Sequence, residues 1–256
     1  MVDPLCIAID WSGDRTPRGQ QARIVAATVR DGRVVEVRGG RTRAEVFDAL
    51  RDVNRPALVG LDFSFSVPAW FAREHACATV DDVWALVAAH GETWLRDCPR
   101  PFWGPAGTRC GIPVDARFRV CEAQLRAQGR QPKSIFQLRG AGAVATGSLR
   151  GMPGLARLRA DGIAVWPFDA MGDRAVFEVY PSLYAKVATN DAEGRAGHLE
   201  RFGADVLGAR EREAAIATDD AFDAVVSALA MWERRVELRA LESARDPITA
   251  IEGAIA

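Results

Sequence analysis

LCIAID, at Leu5–Asp10, is a short apolar run that stops at an acid and predicts a buried strand. After a loop that contains glycine and proline, ARIVAATVR at residues 22–30 and RVVEVR at Arg33–Arg38 predict two further strands. Asp31-Gly32 between them is a strong signal for a two-residue hairpin turn. We therefore expect the three strands to form an antiparallel meander.

A helix and a returning strand are expected to follow the meander. Thr42 is a candidate N-cap for a helix that runs to about Asn54. Residues 57–63, ALVGLDF, are apolar along their length, as a central parallel strand buried on both faces should be. A meander, a helix and a parallel strand in this order match the first half of a ribonuclease H-like fold, which is an α/β fold.

The middle of the chain breaks this rhythm. Residues 64–162 are punctuated by prolines and short helical pieces such as 80–89, which predicts an insertion that caps one end of the sheet. Beyond it, the sequence predicts two strands and then two helices, at residues 163–168, 175–180, 192–207 and 219–238. We therefore expect one ribonuclease H-like domain over residues 1–256, with a mixed sheet, flanking helices and a large insertion.

The composition excludes several classes of protein. No apolar stretch approaches the roughly 20 residues that span a bilayer, and the first residues lack the basic region and cleavage site of a secretory signal, so a cytoplasmic protein is expected. The five cysteines are odd in number and have no CxxC spacing, which argues against a disulfide framework or a zinc knuckle. Because the formal net charge is −1, any binding of nucleic acid must depend on local positive charge.

Acidic residues stand at the ends of the predicted apolar elements, namely Asp10, Asp62, Asp219, Asp220 and Asp223, and Glu178 falls inside the predicted strand at 175–180. If the first and fourth strands are adjacent and parallel, Asp10 and Asp62 emerge at the same edge of the sheet. Asp220 and Asp223 are three residues apart and share one face of a helix. Converging carboxylates repel one another unless a cation lies between them, and oxygen ligands select Mg²⁺ or Mn²⁺.

Two such ions about 3.5–4 Å apart can activate a water and stabilise the leaving oxygen in phosphodiester hydrolysis. Each acid also has a purely structural interpretation. An aspartate at the start of a helix often caps it or complements its dipole, a strand-end aspartate such as Asp10 can form a turn, and Glu178 can point to solvent. The convergence of several acids on one place favours a shared metal site.

Four segments carry a resemblance to a known family: CIAIDWSG at 6–13, LVGLDFSFSVP at 58–68, EVYPSLYAK at 178–186 and DDAFDAVVSALA at 219–230. They resemble the DUF429 family of predicted ribonuclease H-fold nucleases. The last two are also similar to segments of RuvC-type Holliday-junction resolvases, which carry a Tyr-x-Pro-x-x-x-Lys-like stretch and an Asp-x-x-Asp helix in the same order. The resemblance spans about residues 5–67 and 163–235, and it continues in segments of the insertion.

The resemblance implies a metal-dependent nuclease and assigns roles to residues of this chain. The implied metal ligands are Asp10, Asp62, Asp220 and Asp223. Glu178 matches the DUF429 segment alone and is added to the catalytic set. Lys186 falls where a resolvase lysine would approach the scissile phosphate. The similarity to resolvases also implies a homodimer.

The insertion holds local positive charge, because arginines and a lysine lie close in sequence to aromatic residues. This pattern suits nucleic acid, since bases stack on rings while cations hold phosphates. The candidate nucleic-acid-binding residues, together with Lys186, are Lys133, Arg139, Arg150, Arg109 and Trp103. Alternatively, the arginines reflect only the arginine-rich composition, and the aromatic residues, with Trp94 and Phe102 among them, form the insertion's own small core.

Two further interpretations stay open. GAGAVA at residues 140–145 imitates a dinucleotide fingerprint but lacks a βαβ unit around it, which favours a tightly packed helix start. The expected function is a nuclease that needs Mg²⁺ or Mn²⁺ and acts on DNA or RNA. The alternatives are a nucleotide-binding module, as in actin-like ATPases of the same fold, and a catalytically silent binding module.

Overall fold

The computed structural model describes residues 3–105, 108–140 and 143–256. The chain divides into two compact units. The first comprises Met1–Asp62, Met171–Leu241 and Ala256, and the second comprises Phe63–Ala170 and Glu242–Ile255. None of the helices in the described ranges is both long enough and apolar enough to cross a membrane.

The strands form a six-stranded mixed sheet in the order β3-β2-β1-β4-β6-β5. Their bounds are β1 Leu5–Asp10, β2 Val25–Arg30, β3 Arg33–Arg38, β4 Ala57–Leu61, β5 Ala164–Val165 and β6 Arg174–Glu178. β1, β2 and β3 pair antiparallel, whereas β4 pairs parallel with both β1 and β6. The prediction of an α/β protein with an antiparallel meander and central parallel strands is therefore confirmed.

Eleven α-helices occur in the described residues. They are α1 Pro17–Arg23, α2 Arg43–Arg51, α3 Ala69–Glu74, α4 Val80–Asp97, α5 Val120–Ala127, α6 Ala145–Ala160, α7 Ala192–Leu199, α8 Ala209–Ala217, α9 Asp219–Glu233, α10 Arg235–Arg239 and α11 Thr249–Glu252. In the first unit, α9 packs on β1 to β4 and its apolar side chains are buried. Gly60 of β4 allows this approach, because a Cβ there would lie 2.6 Å from Met231 Sδ.

Local sequence signals explain the meander and the helix after it. Asp31 and Gly32 both have positive φ, 50° and 78°, as a type I′ hairpin turn requires. Thr42 caps α2 and forms a capping box, in which its side chain accepts from the Glu45 N–H and the Glu45 carboxylate accepts from the Thr42 N–H. These short-range signals confirm the predicted hairpin and the predicted start of α2.

The second predicted strand begins later than expected. Residues 22–30 were expected to be a strand after a loop, but α1 occupies Pro17–Arg23 and β2 starts at Val25. The reason is local: Thr16 Oγ1 accepts a hydrogen bond from the Gly19 N–H at 3.0 Å, and Pro17 takes the first helical position. The prediction of a loop there was wrong.

The predicted strand at 163–168 is also wrong over most of its length, because β5 contains two residues. Pro167 has no N–H to donate to a neighbouring strand. The Asp169 carboxylate accepts from the Val165 N–H at 2.9 Å, and the Phe168 N–H donates to the Val165 carbonyl at 3.0 Å. These bonds turn the chain at the point where a strand was expected to continue.

Both predicted C-terminal helices are shorter than expected. The helix predicted over 192–207 ends at Leu199, where Arg212 donates to the carbonyls of Leu199 and Phe202. The helix predicted over 219–238 is interrupted at Arg234 and continues as the separate α10. Arg212 lies outside the predicted helix, so no pattern within residues 192–207 indicated the end at Leu199.

The second unit is mainly helical and has its own core. In it, α4 packs against α6, and the predicted short piece at 80–89 is instead an 18-residue helix. Gly151 of α6 lies against the Phe63 ring, and a Cβ at this position would lie 2.7 Å from the nearest ring carbon. Phe71 is surrounded by other rings, those of Trp70, Trp94, Phe102 and Phe136.

Candidate metal centre

Asp10 and Asp62 lie at the same end of two neighbouring parallel strands. Asp10 is the last residue of β1, and Asp62 follows directly after β4. Ile9 is paired with Leu61 in the parallel register, and the Asp62 N–H donates to the Ile9 carbonyl at 3.1 Å. The structure thus places the two acids side by side, as the sequence predicted.

The first two turns of α9 contribute two more acids. Thr218 caps this helix, and its Oγ1 accepts from the Ala221 N–H at 3.1 Å. None of the aspartates in these turns is therefore needed as the N-cap. Because α9 packs on β1 and β4, Asp220 and Asp223 come close enough to raise the pKa of Asp10.

Glu178 is the last residue of β6 and is buried, with 3% of its surface exposed. It is paired with Leu61 of the neighbouring parallel strand, one residue before Asp62. Its negative charge contributes to the raised pKa of Asp62. The interpretation that Glu178 points to solvent is wrong, and the structure places it beside the other acids.

Burial and mutual repulsion disfavour the charged forms of the strand-end acids. The pKa of Asp10 is raised well above its ordinary value, first by burial and then by the charges of Asp62 and Asp220. Burial raises the pKa of Asp62 to about 8, and the charges of Asp223 and Glu178 add to the effect. These carboxyls therefore retain their protons at a higher pH than ordinary aspartates do.

The helix acids are shifted in the same direction. Burial raises the pKa of Asp223 to about 7, with Asp219 and Asp220 adding to the shift and Arg195 opposing it. Burial also raises the pKa of Asp220, against the opposing charge of Arg23. Four carboxyls from three elements therefore share one electrostatic environment.

The donor chemistry of this cluster suits a hard divalent cation, because every donor is a carboxylate oxygen. Across residues 3–105, 108–140 and 143–256, however, no three His, Cys, Asp or Glu side chains form a group that could hold a metal ion as they stand. Binding would therefore require the carboxylates to turn toward the cation.

The comparisons with known proteins give one match. The family model described as "Protein of unknown function (DUF429)" matches residues 27–241. The chain belongs to the DUF429 family. No curated protein and no solved structure gives a significant match. The resemblance that the sequence motifs indicated is thus confirmed at the level of the family, which carries no assigned activity.

Asp219 has a different role in this DUF429 chain from those of Asp220 and Asp223. Its carboxylate forms an ion pair with Arg195 and accepts from the Asn190 N–H. Arg195 is buried and also donates to the Ile216 carbonyl at 2.9 Å. Sequence reasoning missed Arg195, because an arginine in a short helix gives no local sign of its partner. The pair holds the first turn of α9 in place. Asp220 lies in this turn and Asp223 just after it.

The predicted nucleic-acid-binding residues of the second unit have different environments. Arg150 forms an ion pair with Glu92, with N···O distances of 2.6 and 2.9 Å, so its charge is largely offset. Arg109 and Arg139 are exposed. Trp103 and Lys133 line the same groove. The sequence did not indicate that the charge of Arg150 is offset, because its partner Glu92 lies 58 residues away in the chain.

Three remaining predictions concern other parts of the chain. Lys186 is exposed and belongs to the first unit. Trp94 and Phe102 stack at 5.3 Å between ring centroids and are buried, so the interpretation of the aromatic residues as a core is right for these two. Within GAGAVA, Ala141 and Gly142 lie outside the described residues, and α6 begins at Ala145.

Proposed function

We propose that this chain is a divalent-metal-dependent nuclease with a ribonuclease H-like fold, which hydrolyses phosphodiester bonds in nucleic acid. The observation that carries the proposal is the placement of Asp10 at the end of β1, Asp62 directly after β4 and Asp223 on α9, close enough for their charges to raise one another's pKa. Acids far apart in sequence have been gathered at one end of a sheet, where each disfavours the ionisation of the others. Such an arrangement costs stability and is most readily explained by a cation that offsets it.

The topology supports the same proposal. A three-strand antiparallel meander is followed by a helix and by a strand parallel to β1, and the acids stand at the carboxyl ends of β1 and β4. Sites in open α/β sheets commonly lie outside the carboxyl ends of the strands. The long helix α9 then brings its acidic first turn to this edge.

The proposed roles follow from position. Asp10, Asp62, Asp220 and Asp223 would hold Mg²⁺ or Mn²⁺, and Glu178 would support Asp62 from the next strand. When bound, the metal would supply an activated water and a counter-charge for the leaving oxygen. Because their pKa values are raised, Asp62 and Asp223 retain protons near neutral pH. Both residues would have to lose these protons before they could bind the metal. The site should therefore load metal better as the pH rises.

The test measures Mn²⁺ binding by calorimetry, with a panel of DNA and RNA substrates incubated with the same samples. The variant Asp10→Asn/Asp220→Asn should lose both metal binding and metal-dependent cleavage. Asp31→Asn is the matched control, because it makes the same chemical change at an exposed position in a turn that accepts asparagine. This control should behave as the wild type.

The outcomes separate the candidate functions. Cleavage by the wild type that is lost with the acids supports the nuclease. Metal binding without cleavage of any substrate would instead indicate a silent binding module, and saturable ATP binding without cleavage would indicate a nucleotide-binding module. Full cleavage by Asp10→Asn/Asp220→Asn would refute the assignment of the site.

A further inference from the structure

The second unit contains a groove of about 590 Å³ in which positive charge and aromatic rings occur together. We call it the basic groove. Its chemically distinctive lining residues are Trp103, Arg117, Phe118, Arg126, Arg130 and Lys133. No aspartate or glutamate is among its described lining residues. Four cations therefore line one concave surface of a chain whose net charge is −1.

The basic groove differs from a second groove of similar size, about 600 Å³, in the first unit. That groove is also lined by arginines, but Glu36 and Glu211 alternate with them, and none of its described lining residues is aromatic. Glu36 lies 3.7 Å from Arg38 there. Because both grooves come from the same arginine-rich chain, composition alone does not explain a groove that has cations and no acids.

The cations of the basic groove are arranged over its rings. The Arg117 guanidinium carbon lies 5.8 Å from the centroid of the Trp103 ring, and Arg117 Nε donates to the Ile112 carbonyl at 3.2 Å. The Arg126 guanidinium carbon lies 4.4 Å from the Phe118 centroid. Guanidiniums held over rings keep their charge and are already ordered, which lowers the entropy cost of binding an anion.

The rings of the basic groove are accessible, in contrast to the core aromatics of the same unit. Trp103 and Phe118 are each partly exposed, whereas Trp94 and Phe102 are buried. A partly exposed ring offers its face to an unpaired base, and the cations beside the ring attract the phosphates. A base inside a duplex is stacked between its neighbours and has no free face for such a ring, so the rings favour a single strand over a duplex.

We propose that the basic groove binds single-stranded nucleic acid, with Arg126 and Lys133 contacting phosphates and Trp103 stacking on a base. A volume of about 590 Å³ is in the range of a site for one or two nucleotides. No acid among the described residues forms an ion pair with Arg117, Arg126 or Lys133. The inference concerns binding alone and stands whether or not the acids of the first unit catalyse cleavage.

The experiment is fluorescence anisotropy of labelled oligothymidylate and oligouridylate of about 15 nucleotides, with a duplex of equal length, titrated with the full chain in EDTA. Arg126→Glu/Lys133→Glu should raise the Kd for single strands by about 10-fold or more. It should also lower the steepness of log Kd against log salt by about 1.4, because two phosphate contacts are lost at about 0.7 each. Trp103→Leu should raise the Kd by about 10-fold and leave the salt dependence unchanged.

Arg30→Glu/Arg210→Glu is the matched control, because it makes an equal change of charge at exposed residues of the second groove. It should change the Kd by less than about 2-fold if the basic groove is the site. Circular dichroism and thermal unfolding of each variant show that a loss of binding is not a loss of fold. Tight wild-type binding with these two selective losses supports the proposal.

Three results would overturn it: no binding of single strands by the wild type, equal losses in the control variant, or tighter binding of the duplex than of the single strand. Because EDTA removes metal, these results are independent of cleavage. If the basic groove does not bind single strands, the nuclease proposal still depends on its own test with Mn²⁺. If the chain does not cleave nucleic acid, the proposal for the basic groove is unaffected.

Discussion

The backbone N–H of Asp62 donates a hydrogen bond to the carbonyl oxygen of Ile9 at 3.1 Å. This bond continues the parallel pairing of β1 with β4 by one position and sets Asp62 next to Asp10. The backbone ladder holds the two residues side by side, so their carboxylates can move apart only by side-chain rotation. Protons or a cation would relieve the repulsion between them.

The first prediction concerns pH. Burial and like charges raise the pKa of Asp62 to about 8, whereas in the unfolded chain it ionises near its ordinary value of about 4. Between these values the folded state binds more protons than the unfolded state, so stability falls as pH rises. In EDTA, the midpoint of thermal unfolding should fall between about pH 5 and about pH 8.5, and Mn²⁺ should restore it at the higher pH.

Asp62→Asn should reduce this fall, because the amide has no charge to gain. Asp31→Asn, at an exposed turn, should retain the full fall. Thermal unfolding followed by circular dichroism at each pH provides the measurement. A wild-type midpoint that stays level over this range, or an Asp62→Asn variant that falls as steeply, would contradict the electrostatic account of the site.

The second prediction separates two adjacent acids. Asp219→Asn leaves the Arg195 guanidinium, whose side chain is 5% exposed, without its carboxylate, and should destabilise the fold by about 2 kcal/mol. The value lies below that for a fully buried pair because Asp219 is 32% exposed. Asp220→Asn removes a repelling charge and should be neutral or stabilising in EDTA.

The two variants should rank the other way for Mn²⁺ affinity. Asp219→Asn should retain Mn²⁺ binding, whereas Asp220→Asn should weaken it by about 10-fold or more, as expected for a ligand. Urea unfolding and calorimetry on the same two proteins check both parts. Loss of metal binding in Asp219→Asn with an intact fold would show that Asp219 is itself a ligand.

The third prediction concerns a buried ion pair in the second unit. Arg119 and Glu122 are almost wholly buried, with 2.8 Å between Nη2 and Oε1, and Arg119 Nη1 also donates to the Glu252 carbonyl at 3.0 Å. Arg119→Met should destabilise the fold by about 3–5 kcal/mol, because it leaves a buried carboxylate without the cation that neutralises it. Urea unfolding of the full chain measures the effect.

Arg119→Met/Glu122→Leu is the informative second variant. Removing both charges should recover part of the lost stability, although the capping bond from the Arg119 N–H to the Glu122 carboxylate, 3.0 Å long, is lost. If the double variant is less stable than Arg119→Met alone, the isolated carboxylate is not the source of the cost.

The fourth prediction tests the packing that carries the acids of α9. Gly60→Ala would place a Cβ 2.6 Å from Met231 Sδ and 2.7 Å from Val179 Cγ1, so it should destabilise by about 1–3 kcal/mol. Gly197→Ala is the control, because nothing lies within 4 Å of the added carbon and the residue is helical and exposed. It should stabilise by about 0.5–1 kcal/mol, and a similar loss in both variants would argue against tight packing at Gly60.

Several elements could be predicted because their causes are short-range. The apolar run of β1 ends at Asp10, the Asp31-Gly32 pair forces a hairpin, and Thr42 with Glu45 starts α2 within four residues. Where the predicted bounds of an element were wrong, the cause was a contact outside the predicted segment or one that the spacing of apolar residues does not reveal. α7 ends at Leu199, whose carbonyl accepts a hydrogen bond from Arg212, and β5 ends at Val165, whose N–H donates to the Asp169 carboxylate.

The candidate acids could be identified from local sequence alone, because Asp10, Asp62 and the pair on α9 each terminate or open an apolar element. Which charges lie beside a given side chain depended on the fold. Arg195 neutralises Asp219 and Glu92 offsets Arg150, whereas no acid is among the described residues that line the groove of Arg126 and Lys133. The reason is physical. Strand ends, caps and turns depend on neighbours a few residues away, but the charge on a side chain depends on whichever residues the fold brings beside it.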